Sequence, residues 1–209
     1  NALKEVCEKY GLVWERRRGN GAEKGTPKIG TDTIPVCVLY AQDDPRDSAS
    51  PFGVLDFLMW DHPWNNYNYD TAQKIEKAAR LMKEAGIKFV RMDFLWYDIE
   101  PEPGVFDFEK YERIVHILCK NDIKILGILE YNPRWTNEPW NKAPDVELYV
   151  RFASNVVEHF KDRIRYWEIW NEPDTKTYWE PQDYMVAYTE LLKKVYPAIK
   201  KADPTSQVL

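Results

Sequence analysis

The feature that most constrains this chain is a repeated alternation of strand and helix signals. Ile87 to Phe94 and Ile123 to Glu130 are apolar, β-branched runs. Their opening phrases, Ile87-Lys88-Phe89-Val90 and Ile123-Lys124-Ile125-Leu126, echo each other. Each follows a helical pattern directly. Before the first, Asp70 stands as an N-cap, and Ile75, Ala78, Ala79 and Met82 recur at i, i+3, i+4 and i+7 as one buried face that Gly86 closes. Before the second, Asp107 stands as the cap of a helix with the face Tyr111, Ile114, Val115 and Leu118. The pattern continues with a helix opened by Pro144-Asp145, carrying Tyr149, Phe152, Ala153 and Val156, and then a strand at Tyr166. A further helix carries Tyr184, Ala187, Tyr188 and Leu191, and Pro197 should kink or end it. Phe52 to Trp60 reads as a strand ahead of the series, and Ser206 to Leu209 as one just beginning after it.

A unit length of roughly 35 to 40 residues predicts an α/β fold with a parallel sheet. The strands are expected near residues 53–60, 87–94, 123–130 and 164–171, adjacent in that order. Crossovers of one hand put every helix on the outer face, which suits a (β/α)8 barrel. A doubly wound sheet is the competing fold, but no Gly-rich phosphate loop follows any strand, and no cofactor is expected. A full barrel needs eight units and about 250 residues; four and the start of a fifth are visible here. Residues 52–209 therefore read as the N-terminal half of such a barrel. Residues 1–51, with the loop-like Arg16-Arg17-Arg18-Gly19-Asn20-Gly21, read as an extension to which no function is assigned.

Charge and cysteine usage narrow the classes of partner. The net charge is −5 with both signs interspersed, which argues against nucleic acid. No apolar run approaches membrane-spanning length. The first residues are not a signal peptide, and since a mature secreted chain would also lack one, the compartment stays open. Cys7, Cys37 and Cys119 show neither metal nor redox spacing. The 9 Trp and 13 Tyr cluster after the predicted strands, which points to a sugar-binding surface as well as to a core.

The segment Arg165-Tyr166-Trp167-Glu168-Ile169-Trp170-Asn171-Glu172-Pro173-Asp174 is a short aromatic strand ending in a polar pair and stopped by a proline. Taken alone, Glu172 would cap a loop or make a salt bridge. Trp167 to Pro173 resembles, however, the fourth-strand motif of the clan A glycoside hydrolases, retaining enzymes on (β/α)8 barrels. The resemblance is to the family 39 type (β-xylosidases and α-iduronidases), with family 5 endoglycanases and family 42 galactosidases behind it. It runs from about Phe52 to the end of the chain, and its second strong piece is Ile99-Glu100-Pro101-Glu102-Pro103-Gly104-Val105-Phe106-Asp107-Phe108. The resemblance implies that Glu172 is the catalytic acid/base and that Asn171 hydrogen-bonds a sugar 2-hydroxyl. It puts the nucleophile, a second Glu, at the end of strand seven, beyond Leu209. The 209 residues on their own are then expected to be inactive, the site being completed by a missing segment or a second chain.

The four strand tips deliver the candidate cleft: Trp60, Asp61, His62 and Trp64; Arg91, Asp93 and Trp96; Glu130, Tyr131, Arg134 and Trp135; Asn171 and Glu172. Retaining glycosidases need one protonated and one ionised carboxyl. Trp170 and Trp135 are expected to wall Glu172 and raise its pKa. Arg91 matches a strand-two arginine that holds the clan's nucleophile ionised, or else it pairs with Glu168 or Asp93 inside the barrel. Trp60, Tyr131 and Trp135 would either stack on sugar faces or pack into the core and loops, and Glu130 would accept from a sugar hydroxyl rather than act as the nucleophile. His62 is expected to hydrogen-bond substrate, since no second His or Cys lies at metal-ligand spacing. Glu168 reads as structural, and Glu100 and Glu102 as fixing their loop.

Overall fold

The computed structural model describes residues 52–61, 68–180 and 184–209. The expectations placed on residues 1–51, His62 and Trp64 lie outside the described residues. Five strands, β1 (Gly53–Leu55), β2 (Phe89–Leu95), β3 (Lys124–Glu130), β4 (Tyr166–Ile169) and β5 (Gln207–Val208), form one sheet in chain order. All four pairings are parallel. Helices α1 (Ala72–Glu84), α2 (Trp96–Ile99), α3 (Glu109–Lys120), α4 (Val146–Phe160) and α5 (Tyr184–Ala202) lie in the connections.

The register sorts the side chains into two faces, because neighbours paired in a parallel sheet point the same way. Arg91 pairs with Leu126, Asp93 with Ile128, Leu95 with Glu130, and Ile128 with Glu168. These residues form the inner face. Met92, Phe94, Gly127, Leu129, Trp167 and Ile169 alternate onto the helix side. There Phe94 lies against Tyr111 of α3, Phe160 of α4 and Trp167, at ring-centroid distances of 4.9, 5.5 and 5.1 Å. The helix layer is thus almost wholly apolar and fully buried. The inner face carries the charge.

Local chemistry sets the helix ends, and in two cases it moves them from the expected residue. Thr71, with extended backbone, caps α1 by accepting from the Lys74 amide at 3.4 Å. Asp70 instead pairs with the Lys74 ammonium at 2.8 Å. Asp107 stands one residue outside α3, where Phe108 holds the cap position, although its carboxylate still accepts from the Glu109 amide at 2.9 Å. Asp145 caps α4 as expected, accepting from Leu148 at 2.9 Å. Gly86, at φ +76°, takes the left-handed position after α1 that glycine fills without strain. Pro197 does not end α5, which continues to Ala202 with Val195 and Ile199 buried on either side of the proline.

Two strands are shorter than their apolar runs. After Leu55 the chain turns, with Trp60 N–H bonded to Phe57 C=O at 2.9 Å, so Leu58 and Met59 are buried in a turn rather than in a strand. β4 stops at Ile169 because Trp170 adopts φ +63°. The proline-rich loop after α2 is clamped from within. The fully buried Glu100 carboxylate accepts from Trp96 Nε1 at 2.7 Å, from the Gly104 amide at 2.6 Å, and from the Arg151 guanidinium of α4. Glu100 fixes its loop, as the sequence suggested.

A close approach in the sheet lies at Gly127, whose register partner is Trp167. A Cβ there would stand 2.6 Å from Trp167 Cζ3 and 3.0 Å from Phe94 Cδ2. Gly127→Ala is therefore expected to destabilise the chain by about 1–3 kcal/mol through overpacking, read from urea unfolding. Unchanged stability would mean that Trp167 yields freely and that the layer is looser than described.

Candidate active site

The site grows from the middle of β2. Arg91 reaches across β3 and holds Glu168 of β4 bidentately, Nε donating to Oε2 and Nη2 to Oε1, both at 2.8 Å. Nη2 also donates to Asn171 Oδ1 at 3.0 Å. The other end of that amide, Nδ2, donates to the Tyr131 hydroxyl at 3.3 Å. Asn171 is thus gripped from both sides, and its amide orientation follows from its partners. Of the two readings of Arg91, the ion pair with Glu168 is the contact present. Burial disfavours the guanidinium charge, but the hydrogen bond and charge of Glu168 more than offset it, and the Arg91 pKa is raised.

Beyond Tyr131 the chain of contacts reaches a pair of buried carboxyls. Glu130 is 1% exposed and Asp93 6%. Burial pushes both pKa values up. The split between them has a clear direction. The charge and hydrogen bond of Asp93 push Glu130 further up, whereas the same hydrogen bond and the Arg91 charge hold Asp93 down. Of the two, Glu130 is the one pushed further toward its neutral form. Glu130 Oε2 is buried without a hydrogen-bond partner among the described residues, a setting that disfavours the charged carboxylate. At the tip of β1, Asp56 is likewise pushed up, to about 6, by burial against the bonds from Tyr69 and the Phe57 amide.

The backbone aims these groups. Tyr131, Trp170 and Glu172, which follow β3 and β4, have φ values of +65°, +63° and +44°. Side chains rarely occupy this left-handed region, and such strain gathers at functional sites. At Trp170 it breaks the strand alternation. The indole turns into the core, 1% exposed, donating to Tyr178 C=O at 2.7 Å and packing edge-on against Trp179. Asn171 then turns to the inner face. Trp170 is consequently a core residue rather than the expected wall of Glu172.

Glu172 itself is exposed at the tip of β4. Its backbone carbonyl, not its carboxylate, closes the following turn, accepting from Thr175 N–H at 3.0 Å and Oγ1 at 3.2 Å. Among the described residues the carboxylate takes part in no hydrogen bond or ion pair. Trp135 is drawn elsewhere. Its Nε1 donates to Glu100 C=O at 2.7 Å, and it packs edge-on against Trp96. Arg91, Glu130, Tyr131 and Asn171 are thus joined in one network with Asp93 and Glu168, and Glu172 adjoins it in sequence. His62 lies outside the described residues.

Sequence reasoning missed Trp140 and Tyr178. They meet Tyr131 at ring-centroid distances of 4.9 and 6.4 Å at the rim of this network. Only their aromatic character beside turn residues could have drawn attention to them, since loop course is not legible from periodicity.

Comparison with known proteins agrees with this architecture. Residues 64–140 match the glycosyl hydrolase family 42 profile, described as β-galactosidase. The chain is 29% identical over 147 residues to endo-1,4-β-xylanase B of Thermotoga neapolitana, covering 67% of this chain and 42% of that protein. It is 36% identical over 74 residues to β-galactosidase BgaA of Clostridium cellulovorans, covering 34% and 11%. A family 39 glycoside hydrolase from Bacteroides cellulosilyticus WH2 superposes with a TM-score of 0.58 at 26% identity, covering 75% of this chain and 30% of that one. The β-glucosidase of Thermotoga maritima, at 16% identity and TM-score 0.56 over 75% and 47%, shares the fold. The chain spans less than half the length of each of these proteins. It is related to the clan A glycoside hydrolases, and its five parallel strands match part of their (β/α)8 barrel.

The raised pKa of Glu130 has a measurable consequence. Its folded pKa is raised, so the native state keeps a proton that the unfolded chain loses above about pH 4.3. Its contribution is fully favourable below that value and is lost as pH rises toward the folded pKa, at about 1.4 kcal/mol per pH unit. Glu130→Gln keeps a donor toward Asp93 and removes the titration. Urea unfolding between pH 5 and 8 is expected to show a flatter loss of stability than the native chain, with the variant the more stable at pH 8. An unaltered slope would place the proton elsewhere.

Proposed function

We propose that this chain carries the acid/base side of a retaining O-glycoside hydrolase site. In this reading Glu172 protonates the departing glycosidic oxygen and Asn171 binds the hydroxyl next to the reacting carbon. The observation that supports it best is the contrast between two neighbours. Asn171 is fixed by Arg91 and Tyr131, while the carboxylate of Glu172 is left uncommitted at the strand tip. A structural Glu172 would spend its carboxylate on the loop; here the backbone carbonyl does that work.

The chemistry follows. A carboxylate from a later part of the barrel attacks the anomeric carbon as Glu172 gives its proton to the leaving oxygen, forming a covalent glycosyl-enzyme. Water, deprotonated by Glu172, then attacks that carbon and releases the sugar with net retention. In this reading the nucleophile is not Glu130, whose pKa is raised by burial and by the charge of Asp93, the reverse of what a nucleophile needs. Arg91 serves twice. It orients Asn171, and its Nη1, which has no partner among the described residues, would meet an ionised nucleophile from a later strand of the barrel. A non-catalytic sugar-binding role is the second reading, favoured by the exposed aromatic rim at Trp140.

Leaving-group dependence separates the two. In the complete barrel, Glu172→Ala is expected to slow glycosides with poor leaving groups by about 10²–10⁴-fold, the usual worth of general acid catalysis. A dinitrophenyl glycoside should keep its first step, because dinitrophenolate leaves without a proton. Azide, which needs no deprotonation, should restore turnover and yield a β-glycosyl azide. Equal loss on every leaving group, with lowered thermal stability and no rescue by azide, would overturn the assignment.

A further inference from the structure

Three tyrosines on the helix faces each send a hydroxyl to the end of a strand. Tyr111 of α3 accepts from the Leu95 N–H, at the tip of β2, at 3.0 Å. Tyr149 of α4 donates to the Leu129 C=O, near the tip of β3, at 2.6 Å. Tyr188 of α5 donates to the Ile169 C=O, at the tip of β4, at 2.7 Å. Backbone groups at a buried strand end must be paired somewhere, and here a side chain from the following helix does it.

Two of the three converge on one peptide plane. The Ile169 C=O and the Trp170 N–H belong to the same peptide unit, and Tyr188 holds its carbonyl end. Its N–H end donates to the Leu129 C=O at 3.0 Å, the oxygen that Tyr149 also grips. Tyr149 packs against the Trp170 indole as well, with ring centroids 6.0 Å apart, and Tyr188 against Trp179 at 5.7 Å. This plane leads into Trp170 at φ +63°, where the chain leaves the sheet to present Asn171 and Glu172. A left-handed non-glycine residue costs about as much as one hydrogen bond contributes. Rotation of the plane would relieve that cost, so the bonds at its two ends decide whether the turn persists. Asn171 has further anchors in Arg91 and Tyr131. The Glu172 carboxylate has none among the described residues, and its direction is inherited from the backbone.

We infer that Tyr149 and Tyr188 are positioning residues for Glu172. Their hydroxyls lock the Ile169–Trp170 peptide plane, and the lock fixes the direction in which the Glu172 carboxylate leaves the tip of β4. Both come from the helix layer and act through the backbone. Tyr111 makes the same kind of contact at β2 and serves as the matched control. The functional meaning of the lock rests on the acid/base reading of Glu172, while the lock itself is a property of this chain alone.

Amide hydrogen exchange of the 209-residue chain, followed residue by residue by NMR, tests the lock in Tyr149→Phe, Tyr188→Phe and Tyr111→Phe. Each variant keeps its ring and loses only the hydroxyl. Tyr149→Phe and Tyr188→Phe are expected to speed exchange at the Trp170 amide about 3- to 10-fold relative to the amides of β2, the worth of one hydrogen bond. Tyr111→Phe should speed exchange at Leu95 and leave Trp170 unchanged. In the complete barrel, the first two variants should lower kcat on poor leaving groups about 3- to 10-fold, with KM unchanged and dinitrophenyl glycosides spared. A loss of stability alone would not depend on the leaving group. An unchanged Trp170 amide in both variants, or acceleration spread evenly along the chain, would overturn the inference. So would losses equal on every leaving group while Glu172→Ala passes its own test. Exchange specific to Trp170 together with a failed test at Glu172 would sustain the lock and remove the acid/base assignment.

Discussion

The site depends on one guanidinium. Arg91 faces Glu168, Asp93 and Glu130 on the inner face of the sheet, and three ionised carboxyls around one cation would be costly to bury. The arrangement is tolerable because the roles are divided. Glu168 takes the bidentate contact, burial and Asp93 push Glu130 toward its neutral form, and the Arg91 charge and the Glu130 hydrogen bond favour the ionised form of Asp93. Arg91 then has a hydrogen left for Asn171. The same cation therefore balances the interior and points the amide that adjoins Glu172. The orientation of Asn171 at the strand tip rests on electrostatics set deeper in the sheet.

The helix side serves that inner face by being rigid and dry. Gly127 lets Trp167 lie flat over the sheet, and the Phe94 cluster fills the space beneath α3 and α4. With that layer fixed, β2, β3 and β4 keep the register that places Arg91 within reach of Glu168 across β3. A strand slip of one residue would move all three inner carboxyls into the apolar layer.

Much of this was legible in the sequence, for identifiable reasons. Seven-residue strands and helix faces such as Ile75-Ala79-Met82 carry a strong period, so the parallel order of the strands could be read directly. The Asn171-Glu172 pair could be placed at a strand tip because a strand cannot run on through Pro173, although pairing already ends at Ile169. Less visible was anything decided by a single dihedral or by contact between loops. Trp170 looked like a cleft wall and is core, because φ +63° reverses its side. Trp135 looked like a sugar platform and is tethered to Glu100. The apolar run to Trp60 could not show that pairing ends at Leu55. The raised pKa values of Asp93 and Glu130 arise from burial and neighbourhood, and no spacing rule encodes them.

The central claim is that Arg91 and Glu168 act as one unit that organises the inner face. Their side chains are 19% and 27% exposed, so the pair is only partly screened by water. A double-mutant cycle with Arg91→Met and Glu168→Gln, read by urea unfolding at pH 7, measures the pair directly. A coupling energy of about 1–3 kcal/mol is predicted, as for contacting residues in one network. Additive effects, with a coupling near zero, would contradict the account and leave Asn171 to be positioned by something other than this ion pair.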